Sequence, residues 1–208
     1  MNAGQAMNTV LGKMSPNITT MIRMDHAHVL GAFHQFHAGT PARVKKGLAD
    51  QICLAIEVHA QLEEEIFYPA LRLVAPDEVL DKSTPEHDEM RAHIRALRAS
   101  QPGDAAFDSN MFELMRIVMH HVADEETTLL PKAERLLGDR LSELGAQMTK
   151  RRLALLGPRS GELAGSMARS ISSGTLLAAA GAVLAAGGYL LARQRPGTTS
   201  ASWMRSPR

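Results

Sequence analysis

Apolar side chains recur every three to four residues in four separate runs between residues 20 and 137, the period of helices that bury one face. The first run, Ile22, His26, Val29, Leu30, Phe33 and His37, predicts a helix that starts after Ser15-Pro16-Asn17 and ends at Gly39-Thr40-Pro41. A second helix is expected from about Pro41 to Leu73, with Leu48, Ile52, Ala55, Ile56, His59, Leu62, Glu63 and Ile66 on one face and a kink at Pro69. A third opens at Ser83-Thr84-Pro85, a cap followed by proline in the first turn, and carries His87, Met90, Ile94 and Leu97. The stretch SQPGDAAFDSN reads as a loop. The fourth helix runs from about Ser109 to Leu137, with Phe112, Met115, Val118, His121, Val122, Glu125 and Leu129 on its stripe. Four such helices on short loops predict an all-α fold, an antiparallel up-down bundle over residues 20–137. Residues 1–19 are an N-terminal extension. Residues 138–157 form one more amphipathic helix (Leu141, Leu144, Met148, Leu155), packed on the bundle or on a second copy, and 158–208 a linker with a Gly/Ala-rich tail.

Composition supports this picture. The chain is 45% hydrophobic but only 4% aromatic, so its core is built from Leu, Ala, Ile, Val and Met, residues that favour helix over sheet. A single cysteine, Cys53, excludes an intrachain disulfide, fits a reducing compartment and is expected at the edge of the core. The start, MNAGQAMNTVLGKMSPN, lacks a charged region followed by an apolar one, so the bundle is expected in the cytoplasm. The net charge of +1 conceals a split: residues 150–208 hold nine basic residues and one acid, leaving residues 1–149 acidic. The acidic part is not expected to bind nucleic acid, whereas the basic tail suits an anionic surface.

Ionisable groups interrupt the apolar stripes at matched places. HAQLEEEIFYP at 59–69 and HVADEETTLLP at 121–131 both place Glu four and five residues after His, and Pro ten residues after it. His26 precedes His59 by 33 residues and His87 precedes His121 by 34, so the chain reads as two helical hairpins that each give one His, then His-x-x-x-Glu. His26, His59, Glu63, His87, His121 and Glu125 all fall on stripes, whereas His28, His93 and His120 turn away. A buried carboxylate without a partner costs several kcal/mol of hydration. Nitrogen and oxygen donors without thiolate suit iron, manganese or zinc. Two carboxylates among four imidazoles suit a pair of ions, with Glu63 and Glu125 able to bridge them. Glu64, Glu65 and Glu126 lie around the helix as solvated groups or as partners of the ligands. Tyr68, close to Glu63, is expected to pack.

DH at 25–26, HAQLEEEIFYP, EH at 86–87 and HHVADEE at 120–126 resemble the hemerythrin-like, or HHE cation-binding, domain over roughly residues 20–137. The resemblance implies a four-helix bundle with a non-haem di-iron site. His26 and His59 would serve one iron, His87 and His121 the other, and Glu63 and Glu125 would bridge them. It also implies a departure: oxygen-carrying members place a second ligand histidine one turn after the position of His87, and here that residue is Arg91, a permanent cation. Reversible oxygen transport then gives way to oxygen, peroxide or nitric oxide sensing, or to iron handling. Arg91 is free to pair with Glu86, Asp88 or another acid.

The stretch SISSGTLLAAAGAVLAAGGYLLA carries no charge and is flanked by Arg169 and Arg193. Its apolar part is at the short limit for crossing a bilayer, and Gly181 and Ala185 form a small-residue pair of the kind that lets membrane helices approach. Residues 171–192 are therefore read as a C-terminal membrane helix holding the bundle at the inner face of a membrane, or as a self-associating helix that makes a homo-oligomer. Three functions stay open. The foremost is a non-enzymatic protein that binds dioxygen or a related small molecule; the others are a di-iron enzyme acting on peroxide or ferrous iron, and a structural protein with a self-associating tail.

Overall fold

The computed structural model describes residues 15–170, which belong to one compact unit. Helix α1 (Ile18–Phe33) starts where expected, with the Asn17 side chain accepting from the backbone N–H of Thr20 at 2.8 Å. It ends earlier than its stripe suggested: His37 is exposed, and Phe36, in the turn beyond the helix, supplies the buried contact. Helix α2 (Ala42–Leu62) continues through a π turn, Glu63–Phe67, into the short α3 (Tyr68–Arg72). Helix α4 spans Glu78–Ala99; α5 (Phe107–Asp124) continues through a second π turn, Glu125–Leu129, into α6 (Leu130–Leu137). Two further helices follow, α7 (Arg140–Leu156) and α8 (Ser160–Ser170).

The two π turns have one cause. Pro69 and Pro131 lack the N–H that would close an α turn, and a proline ring crowds the carbonyl four residues earlier. The chain widens instead, so that Tyr68 N–H bonds to Glu63 O and Leu130 N–H to Glu125 O, five residues back. The kink expected at Pro69 is thus resolved as a wide turn that begins at Glu63.

Three expectations are corrected. Helix α4 begins at Glu78, not at Ser83, because Asp77 caps it by accepting from Val79 N–H at 2.8 Å and also pairs with Lys132; Pro85 lies inside the helix. Phe112 is exposed, and the buried face of α5 is Met111, Leu114, Ile117 and Val118. Residues 160–170 are helix where a linker was expected. Helix α8 docks along α2, with Arg169 on Asp50 at 2.9 Å, Arg159 on Glu57 at 2.7 Å and Arg43 on the Ala168 carbonyl at 2.8 Å.

The apolar interior falls into two clusters. One gathers Ile18, Ile22, Leu62, Phe67, Leu71, Leu80, Leu129 and Leu130; the other gathers Val29, Phe33, Ile56, Met90, Ile94, Met111, Leu114 and Val118. Along the chain, α1 and α4 pass from the first cluster to the second, and α2 and the continuous α5–α6 pass back. Between the two lie six buried polar residues, His26, His59, Glu63, His87, His121 and Glu125. Cys53 belongs to the second cluster, and burial pushes its thiol up to about 12. Helix α7 packs on α1 and α2, burying Leu144 and Met148.

Gly145 lets α7 approach, since a Cβ there would collide with the Pro16 carbonyl and crowd the Asn17 backbone. Gly145→Ala is therefore expected to destabilise the protein by about 1–3 kcal/mol, because backbone cannot yield as a flexible side chain does; thermal unfolding checks this.

The anchor expected at 171–192 lies outside the described residues. Membrane and transmembrane assignments gain no support: among the described residues no helix is long and apolar enough to cross a membrane.

Candidate metal centre

All six stripe residues meet at the polar level between the two apolar clusters. His26 Nε2 stands 3.2 Å from Glu125 Oε2, and His59 Nε2 stands 3.1 Å from Glu63 Oε2. On the other side, His87 Nε2 lies 3.5 Å from Glu63 Oε2 and 3.1 Å from His121 Nε2, which in turn is 3.6 Å from Glu125 Oε2. Two donor groups result: His26, His59, Glu63 and Glu125, and then Glu63, His87 and His121, each with one ligand atom per residue within 4.8 Å of the others. Glu63 belongs to both. His26 Nε2, His59 Nε2, Glu63 Oε1 and Glu125 Oε2 are buried and have no hydrogen-bond partner. Four unsatisfied polar atoms converging at one level would be costly unless something positive sits among them. The residues therefore fit a metal.

The outward nitrogens follow one rule. Each of the four imidazoles turns Nδ1 to a carboxylate: His59 to Asp25 at 3.4 Å, His26 to Glu126 at 2.9 Å, His87 to Glu64 at 2.9 Å and His121 to Glu86 at 2.8 Å. The acid preceding the first histidine of a hairpin holds the second histidine of the same hairpin. The acid following each stripe glutamate holds the first histidine of the other hairpin. Each carboxylate is held in turn by a cation: Asp25 by Arg152 at 2.7 and 2.6 Å, Glu126 by Arg23 at 3.1 Å, Glu64 by Arg91 at 2.8 Å, and Glu86 by Lys82 at 3.7 Å. A carboxylate on Nδ1 fixes the tautomer that presents a bare Nε2 inward, which is the form a metal needs.

Protonation in the metal-free protein follows the same contacts. Burial works against charge on both Glu63 and His59, but their mutual attraction prevails, helped by Asp25 on His59 and by His87 beside Glu63. Glu63 is held well below the usual carboxylate range and His59 well above the usual imidazole range. His87 is likewise raised against its burial, by hydrogen bonds to Glu63 and Glu64. Asp25 and Glu64 are lowered despite burial by their imidazole and guanidinium partners, and Glu86 chiefly by His121. Without metal, protons take the place of the cation.

Tyr68 does more than pack. Its hydroxyl shares one proton between Glu125 Oε1 at 2.9 Å and Glu63 Oε2 at 3.1 Å, and lies 3.4 Å from His87 Nε2, with its ring stacked on that imidazole. It adds an oxygen to the centre on the His87 side. Burial and the two glutamates push its phenol well above the usual range.

Arg91 points away from the donors. It grips Asp88 at 2.9 Å and both oxygens of Glu64 at 2.8 Å, so it acts on His87 only through Glu64. Arg91→Ala is expected to weaken metal binding by about tenfold, the lower end for loss of an outer partner, as read by competition with a chelator. Arg91→His carries the same loss and offsets it only by reaching the donors, against the direction this side chain takes. His28 and His120 are exposed. His28→Ala and His120→Ala are expected to leave metal content per chain unchanged by elemental analysis.

Asp25, Glu64, Glu86 and Glu126 left a trace in the sequence, each being adjacent to a ligand candidate. Arg23, Lys82 and Arg152 left none. A third group, Glu86, His120 and Asp124, is partly exposed and already holds Lys82 on two of its carboxylates.

Comparison with known proteins agrees with this geometry. The family model described as the hemerythrin HHE cation binding domain matches residues 17–133. The chain is 30% identical over 126 residues to a protein from Nostoc sp. named DNA nickase; the match covers 61% of this chain but only 36% of that protein. The fold is similar to the crystal structure of a hemerythrin HHE cation binding domain-containing protein from Mycobacterium kansasii. That likeness has a TM-score of 0.62 at 18% identity and covers 75% of this chain and 99% of the other.

Proposed function

The chain belongs to the hemerythrin HHE cation-binding family, and on that footing we propose that it is a non-haem di-iron protein that binds or senses dioxygen or a related small molecule, peroxide or nitric oxide. The reading places the site in an antiparallel four-helix bundle formed by α1, α2–α3, α4 and α5–α6, a topology favoured by the alternating passage of these helices between the two apolar clusters. His26 and His59 hold one iron, His87 and His121 the other, and Glu63 and Glu125 lie between. The observation that carries the proposal is the set of four buried, unpartnered donor atoms at one level, joined through Glu63 to a second donor group.

Iron bound there supplies reversible one-electron chemistry and a place for a small ligand. The chain supplies the rest. Nitrogen and carboxylate donors without thiolate suit iron. The four carboxylates behind the imidazoles hold each ring in its binding tautomer, and the apolar clusters above and below exclude bulk water. The Tyr68 hydroxyl donates to both glutamates and so limits their basicity.

The name of the Nostoc relative belongs to a protein of which this chain matches 36%, and the acidic balance of residues 1–149 disfavours a phosphate backbone as partner. DNA cleavage forms no part of the proposal. Elemental analysis of protein purified in air, with its absorption spectrum, tests the reading. About two irons per chain and visible absorption that responds to nitric oxide are expected; protein that stays metal-free after exposure to ferrous iron overturns it.

A further inference from the structure

Of the six donors, His59 keeps the most surface: it is 9% exposed, against 0–4% for the other five. It lines a partly open cavity of about 350 Å³ between α1 and α2. Helices α7 and α8, which lie outside the family-matched region, roof this cavity with Leu156, Leu163 and Met167. On the inner side of α1 and α2 lies a second space, of about 20 Å³, among Met90, Val118 and the imidazoles of His26, His59 and His121. Asp25, Val29 and His59 line both spaces, so one layer of side chains separates the outer cavity from the metal centre. Two members of that layer are tied: Asp25 is gripped by Arg152, and His59 bonds to Asp25. Val29 is held by packing alone and is the part of the wall that can yield.

The inner space decides what can pass. Its 20 Å³ compares with the roughly 10–15 Å³ that a water needs, so it admits a diatomic molecule and no organic one. Apart from the imidazoles, its one polar neighbour is Asp25, an acceptor whose charge repels anions. The Nδ1 atoms of those imidazoles are already engaged by carboxylates. No free hydrogen-bond donor is left there to replace the hydration that a peroxide or a superoxide ion would lose. A neutral diatomic molecule has little hydration to lose.

We propose that the crevice between α1 and α2, beneath α7 and α8, is the entry route by which uncharged diatomic molecules, nitric oxide or dioxygen, reach the metal centre, passing at Val29. The proposal rests on the di-iron reading and narrows its small molecule to a neutral diatomic. The outer cavity is a passage and needs no resident ligand of its own. Helices α7 and α8 thereby gain a role in function: they shape its mouth.

Leu163→Trp and Met167→Trp narrow the mouth from α8 without touching a donor, and both positions are at least partly exposed, so the bundle tolerates them. With the iron-loaded full chain, stopped-flow mixing with nitric oxide should show association and dissociation both about tenfold slower, at unchanged affinity and iron content. Val29→Ala should speed both. A merely structural role would shift affinity or iron content instead. The metal-free chain gives a second readout, because dioxygen is paramagnetic. In oxygen-saturated solution the methyl protons of Val58 and Val118 should relax faster than those of Ile18 and Leu80, which are fully buried and line neither space. Unchanged rates in both tryptophan variants overturn the proposal, as does a change in affinity that accounts for the change in rate, or no faster relaxation at Val118. Failure of the di-iron reading shows separately, as wild-type chain that takes up no iron, and the dioxygen relaxation still decides whether the route exists.

Discussion

Glu63→Ala should empty both halves of the centre, whereas His26→Ala should empty one. Glu63 is the residue common to the two donor groups, with Oε2 3.1 Å from His59 Nε2 and 3.5 Å from His87 Nε2 and with Oε1 unpartnered. Its removal takes an oxygen from each group at once. Removal of His26 leaves the group of Glu63, His87 and His121 whole. After loading with ferrous iron, the metal content of Glu63→Ala should approach zero, and that of His26→Ala should fall to about half the wild-type value. Wild-type stoichiometry in Glu63→Ala would show that the carboxylate is not a ligand. The metal-free variant should also be less stable at neutral pH by up to about 3 kcal/mol, because the buried imidazoles of His59 and His87 lose the charge that answers theirs.

Removing the metal should be the second large effect, and its size should depend on pH in a stated direction. A ligand present at about a thousandfold over its dissociation constant adds about 4 kcal/mol to stability, which for a domain of this size lowers the melting temperature by about 8–16 °C when a chelator strips it. In the metal-free protein, the raised His59 and His87 contribute stability that is complete below the ordinary imidazole value and is lost as pH rises through their folded values. The lowered Glu63 contributes stability above the ordinary carboxylate value and loses it as pH falls through its folded value. The stripped protein is therefore best held on the acidic side of neutrality and weakens as the medium becomes alkaline. The loaded protein has no protons to lose at those nitrogens. The gap in melting temperature between loaded and stripped protein should widen from pH 6 to pH 9, as scanning calorimetry at several pH values would show; a gap that narrows would mean that protons do not compete with metal at these residues.

Much of this centre was legible because it rests on helical phase. Residues 26, 59, 63, 87, 121 and 125 interrupt apolar stripes at the helical period, and an α-helix carries that period into space without help from tertiary structure. The start of α4 was misread because Ser83-Thr84-Pro85 has the composition of a cap, while Asp77 does the capping with support from Lys132, far along the chain. Phe112 was assigned to the core because it lies one position from the true stripe and a four-residue count cannot separate the two; its ring meets Phe36 edge-on at the surface. Helix α8 is hard to read from sequence because GELAGSMARS is short, rich in Gly, Ser and Ala, and is held by ion pairs to α2. Arg23 and Arg152 could not be found at all. Each reaches a carboxylate more than a hundred residues away, through a contact that exists only once the helices have packed.

The wide turns at Glu63 and Glu125 divide tolerance to changes in chain length into two kinds. A residue lost from the straight part of α2 would rotate everything beyond it by about 100° and turn the stripe away from the core. A residue lost from 64–67 would instead be absorbed, since a π turn is one residue more than an α turn needs, and the flanking helices would keep their phase. The fold could survive such a shortening, but the glutamate that opens the turn and the tyrosine that closes it would be brought a residue closer along the helix. The extra residue in the first turn thus belongs to the chemistry and not to the scaffold, and natural shortening there would leave a sound bundle with an altered centre.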